Sequence, residues 1–187
     1  MKDDSDPSYA KELAEMEAWD RMLWLAQAYL EASEALCHAM LDGGFSSQYS
    51  SSRVVLHIAR QGIELFLKGA IAAHGGAPEH LGHNLNKLYR EYRRFYPELR
   101  YHFEVPRQFL VSLNEELFPE DTDAFHGVLD QRHRYATDRK GASFAIPETF
   151  DPVTMKETLS ELRRVFQVIE WVELRPYLKA VHGKGGS

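Results

Sequence analysis

The sequence predicts an all-α fold, an up-and-down bundle of about five helices, on three observations. Long stretches run without proline or glycine, apolar residues recur in them at spacings of three, four and seven, and short glycine-bearing turns separate one stretch from the next. Long antiparallel helices joined by short turns specify a bundle. One segment departs from the plan. Over 131–150 helical periodicity stops, and an ordered loop or small hairpin is expected, with Tyr135, Phe144 and Ile146 packing inward.

The elements follow in order. Residues 1–8 read as a disordered lead, 9–175 as the helical domain and 176–187 as a flexible tail. A first long helix over 9–41 carries Met16, Trp19, Leu23, Ala26, Leu30, Cys37 and Leu41 on its apolar face, and Asp42-Gly43-Gly44 ends it. A second, over 53–74, is apolar nearly all round, which suits the centre of a bundle. Ala59, Gly62, Gly69 and Ala73 line one side of it, so another helix can approach closely there. A third helix opens at His83 or Asn84 and ends before Pro97. Pro106 starts a shorter one bearing Phe109, Leu110, Leu113 and Leu117, which Pro119 interrupts. A short helical piece spans 122–129. Asp151 caps a final long helix reaching 174, and Pro176 closes it.

The charge balance narrows function. The net charge is −6, and residues 1–20 hold seven acids against two lysines, so nearly all of the excess sits in that segment. A nonspecific DNA coat is therefore excluded, since nucleic-acid binders present a basic surface, while a local basic patch is not. No apolar run approaches the ~20 residues of a membrane helix. The acidic start lacks the pattern of a signal peptide, and the lone Cys37 builds no disulfide framework, so a cytoplasmic protein with no membrane association is expected. No phosphate-binding glycine loop, nucleophile elbow or zinc ligand set is present in the sequence, so no metal and no cofactor are assigned.

Two polar groups stand out. On the second helix Arg53, His57, Arg60 or Gln61, Glu64 and Lys68 fall at steps of three or four, on one face, with Glu64 and Lys68 in the favourable i, i+4 order. The stripe is either solvated or the wall of a cleft beside the 131–140 segment. In that segment Arg132, His133, Arg134, Arg139 and Lys140 surround Tyr135, and Asp130 and Asp138 reduce the formal charge to +2. A basic segment with an exposed aromatic can hold single-stranded RNA by phosphate contacts and stacking. The alternative is a docked loop, with Arg134 paired to Asp130 or Glu64 and Tyr135 buried.

Several short motifs occur in an order that resembles the HEPN superfamily. They are Gln61, Glu64 and Lys68 within one helix, then Gly82-His83-Asn84-Leu85 with Leu88-Tyr89, then Leu129-Asp130, Arg134-Tyr135 and Asp138-Arg139-Lys140-Gly141 before the closing helix. Together they cover about residues 45–175. The resemblance implies a helical bundle that often forms homodimers. It also implies either metal-independent RNA cleavage or noncatalytic binding of RNA or a nucleotide, often in a defence or toxin–antitoxin setting and in some cases beside a nucleotidyltransferase-type partner protein. Cleaving members carry Arg, four to six residues, then His. Here Arg132-His133-Arg134-Tyr135 stands near the expected place, Arg53 and His57 are too close, and Pro176 lies between Arg175 and His182.

The expected function is accordingly a noncatalytic HEPN-like module that binds RNA, a nucleotide or a partner protein. Its ligand-binding candidates are Arg132, Arg134, Tyr135, Lys140, His57, Glu64 and Lys68. The alternatives are a ribonuclease with a rearranged Arg/His pair, for which His133 is the catalytic candidate, and a pure protein-interaction scaffold.

Overall fold

A computed structural model describes residues 16–110, 119–135 and 150–182, and they are mostly helical, with no strand among them. The helices are α1 (Ala18–Leu41), α2 (Gln48–Ala73), α3 (Leu85–Phe95), α4 (Pro119–Arg134), α5 (Pro152–Val168) and α6 (Arg175–His182). A π-helical stretch, Ile169–Leu174, joins α5 to α6, so the last three pieces form one rod and the described residues make five rods.

Local chemistry sets the boundaries. Asp42 and Gly43 stop α1, with Gly43 at φ 72°, a conformation that glycine adopts without strain. The Ser47 hydroxyl accepts from the Ser50 N–H and opens α2. Asn84 does the same for α3 through the Lys87 N–H, and the Asp151 carboxylate caps α5 through the Val153 and Thr154 N–H groups, as its position predicts.

The central helix is α2, which touches α1, α3, α4 and α5. Phe66 in its middle stacks on Phe166 of α5 at 3.7 Å between centroids and meets Phe103 edge-on at 5.6 Å. Tyr92 and Tyr96 extend this aromatic core, and each buried hydroxyl donates to a backbone carbonyl, that of Tyr101 and Ala70 respectively. Helix α1 lies antiparallel to both α2 and α5. Glu34 meets Arg163 at 3.1 Å near one end, and Arg175 bridges Asp20 and Glu170 at the other.

The small residues of α2 serve the close approach expected of them. A methyl group at Gly69 would stand 2.9 Å from the Trp19 carbonyl oxygen and 3.0 Å from a Leu23 methyl; at Gly62 it would stand 3.1 Å from the Ala26 carbonyl oxygen. Alanine gains a helix ~1 kcal/mol over glycine, but at Gly69 it meets backbone that cannot turn aside. Gly69→Ala is therefore expected to lose about 1–3 kcal/mol, read as a lower denaturant midpoint. An unchanged or raised midpoint would remove the close-packing account.

Several boundaries differ from the sequence reading. Helix α1 begins at Ala18, with Met16 and Glu17 outside it. The helix expected after Pro106 is a single turn, Arg107–Phe109, and Leu113 and Leu117 lie outside the described residues. Helix α4 is described from Pro119, and the residues before it, where the interrupted helix is expected, lie outside the described residues. Proline suits a first turn, where its missing N–H would have no partner, and Glu120 and Asp121 follow it at the positive end of the helix dipole. Helix α4 then runs through Arg134, so residues 131–134 are helical and not part of a loop or hairpin; Phe144 and Ile146 lie outside the described residues. The tail expected from 176 starts too early, because α6 continues to His182. Tyr177 packs on His74, their polar atoms 3.0 Å apart, and Leu178 is buried, so this turn belongs to the core. The wide π turn ahead of Pro176 gives its ring room at the preceding carbonyls.

Candidate functional site

The polar stripe of α2 divides into two parts with different surroundings. Its C-terminal part is not solvated. Arg60 is 0% exposed and Glu64 3%. The Glu64 carboxylate accepts from Lys68 Nζ at 2.9 Å and from His83 Nδ1 at 2.9 and 3.1 Å, and pairs with Arg60 at 3.6 Å. Arg60 also donates to the His83 carbonyl. Three cationic or donor groups thus converge on one buried carboxylate, which locks the turn before α3 onto α2.

A second polar knot joins that turn to α4. Asn84 donates to Asp123 at 2.6 Å, and Lys87 pairs with the same carboxylate at 2.8 Å. These two bonds hold the Asp123 carboxyl below its usual range, that from Lys87 contributing most. Beneath it His126 is 2% exposed, and its Nε2 donates to Asn86 Oδ1 at 2.8 Å. Burial first, and the nearby Arg60 charge second, push the His126 pKa down to about 4, so the ring is neutral at pH 7.

The N-terminal part of the stripe meets the Arg-Tyr segment. Arg53 donates to the backbone carbonyls of both Arg132 and Tyr135, satisfying the open C-terminal end of α4. The Arg53 guanidinium lies 5.6 Å from the centre of the Tyr49 ring, and that of Arg134 lies 5.6 Å from the Tyr135 ring. Both rings are open to solvent, Tyr49 at 55% and Tyr135 at 53%. Tyr135 is therefore not the inward-packing residue expected from the sequence.

The nominated residues fall into place unevenly. Arg132, Arg134 and Tyr135 share one surface with Arg53 and Tyr49. His57, half-buried, lies one turn along α2 from Arg53. Glu64 and Lys68 belong to the buried knot, and the partners of Glu64 there are Lys68, His83 and Arg60, with Arg134 not among them. Lys140 and the side chain of His133 lie outside the described residues. Sequence reasoning missed Tyr49, whose spacing of four before Arg53 was the available signal, and His126, which repeats at four from the buried Thr122.

Among the described residues no three His, Cys, Asp or Glu side chains stand where they could hold a metal ion. None of their helices is long and apolar enough to cross a membrane. No family model matches the chain, and it has no match among curated proteins or solved structures.

Proposed function

We propose that the chain is a HEPN-like helical module that holds single-stranded RNA, without cleaving it, on the surface formed by the start of α2 and the end of α4. The observation that carries this reading is the Arg53 bridge. It sets two solvent-open tyrosines, each beside a guanidinium, on one continuous surface with Arg132 and Arg134. Exposed rings offer stacking faces to bases of any sequence, and guanidinium groups offer bidentate contacts to phosphates. Arg132 and Arg134 each have a further interaction within the chain, so a phosphate shares them. The acidic excess of residues 1–20 keeps such binding local and modest.

The test is fluorescence anisotropy with a labelled RNA of unstructured sequence, run across a salt series. Salt-sensitive binding is expected, since phosphate contacts release counterions. Arg134→Ala with Tyr135→Ala should weaken it about tenfold or more, the scale of one stacked base. No salt-sensitive retention removes the RNA reading. Metal-free cleavage that His133→Ala abolishes would replace it with a ribonuclease. Light scattering on the same sample reads the homodimer implied by the HEPN resemblance, for which exposed Leu25 and Tyr29 on α1 and Val54 on α2 offer an apolar contact.

A further inference from the structure

Beside the Arg/Tyr surface lies an open pocket of about 470 Å³. Phe125 and Leu129 of α4 and Phe150 ahead of α5 supply apolar walls, Gln108 and Thr158 supply polar edges, and Arg132 lines it from the side of the patch. We propose that this pocket receives one base of the RNA strand held on the neighbouring surface, an inference that rests on the RNA reading above.

The size suits it, since small-molecule sites span roughly 300–1,000 Å³. The connection to the patch is covalent. Arg132 lines the pocket, and its backbone carbonyl is one of the two that Arg53 holds. A strand on the patch therefore passes the pocket mouth. Turning a base out of a single strand costs little, because no pair is broken.

Arg132 and Asp151 both line the pocket, so their charges offset and the pocket offers no net positive charge to a phosphate. The Asp151 carboxylate is engaged by the Val153 and Thr154 N–H groups at the start of α5. A fixed carboxylate repels an anion and tolerates a neutral ring. Two phenyl side chains give the ring apolar faces to pack against. The Gln108 amide and the Thr158 hydroxyl oxygen offer groups that a base edge can bond. The Thr158 hydroxyl already donates to the Thr154 carbonyl at 2.8 Å, which leaves its oxygen as acceptor. Phosphates stay outside, on Arg53 and Arg134.

The experiment uses the full chain with uridine and adenosine homopolymers, and with the same oligomers carrying one abasic position. Intact oligomers should bind better than abasic ones. Thr158→Phe, whose ring fills the pocket, should bind intact RNA about tenfold more weakly, the loss of one held base, and should shrink the abasic penalty to what stacking on the exposed tyrosines leaves. Gln108→Ala, on an exposed side chain, should change the ratio of uridine to adenosine affinity. If Thr158→Phe melts early, Gln108→Ala decides alone, and an unchanged ratio overturns the inference. Abasic oligomers that bind like intact ones also overturn it, as do wild-type affinities in both variants while Arg134→Ala weakens binding. In those cases the surface reading survives. Absence of RNA binding by the wild-type chain removes that reading and this one together.

Discussion

Glu64→Ala is expected to lower the unfolding free energy by about 3–5 kcal/mol, the cost of breaking a buried charge cluster by removing one partner. Arg60 has no solvent exposure, and the Glu64 carboxylate pairs with it. Without that carboxylate the guanidinium keeps its bond to the His83 carbonyl and its further interaction within the chain, but loses this charge partner. His83 and Lys68 lose the same acceptor and can turn to water, so they add less. Glu64→Gln keeps the shape and an acceptor oxygen, and a smaller loss follows. Lys68→Ala removes one i, i+4 partner from a side chain that still reaches solvent, and should cost under about 1 kcal/mol. Chemical denaturation of the three variants separates a buried hub from a surface pair. Equal, small losses for Glu64→Ala and Lys68→Ala would mean the stripe is solvated after all.

The same contrast explains what could and could not be read from the residues. Periodicity names the face of a helix on which a side chain stands. It does not say what covers that face. Arg53, His57, Arg60, Glu64 and Lys68 do share one side of α2, but whether that side meets water depends on where the turn before α3 lands. His83 stands in that turn, 19 residues from Glu64, so this pairing could not be inferred. Gly62 and Gly69 were legible, because a glycine inside a long apolar helix needs a compensating close approach. Pro176 misled as the place where a tail begins. Its missing N–H costs a helical bond inside a continuous rod, and the π-helical stretch Ile169–Leu174 just ahead of it lets the chain pass the ring and go on as α6. The extent of α4 then hid His126, whose burial needs that helix to pack on α2, with Asn86 of α3 bonded to the ring. For the candidate site, the Arg132–Tyr135 segment and Arg53 were both visible as polar residues. Their union was not, because the bond joining them uses backbone carbonyls, which carry no signature in the side-chain sequence.

Mild acid should weaken the fold through His126. In the folded chain this imidazole stays neutral down to about pH 4. An unfolded histidine takes its proton near pH ~6.5. Between those values the unfolded state binds a proton that the folded state refuses, so stability falls as pH drops through the window, by up to about 1.4 kcal/mol per unit from this group. Above the unfolded value the contribution is fully present. The groups around the ring reinforce the sign: Arg60 and Lys87 keep their positive charges and oppose a third, while the Asp123 carboxylate, held ionised by Lys87 and Asn84, offsets them only in part. His126→Gln retains an N–H for the Asn86 oxygen and removes the titration. Its unfolding free energy should be flatter than that of the wild-type chain between pH 6.5 and 4, whatever the other histidines do, since they are common to both proteins. The imidazole carbon-bound proton of His126, followed by NMR, should keep its neutral chemical shift until about pH 4. A ring that titrates near its ordinary value, or parallel pH slopes for the two proteins, would mean that α4 does not seal this histidine from water, and the packing of α4 against α2 that also supports the Arg/Tyr surface would have to be redrawn.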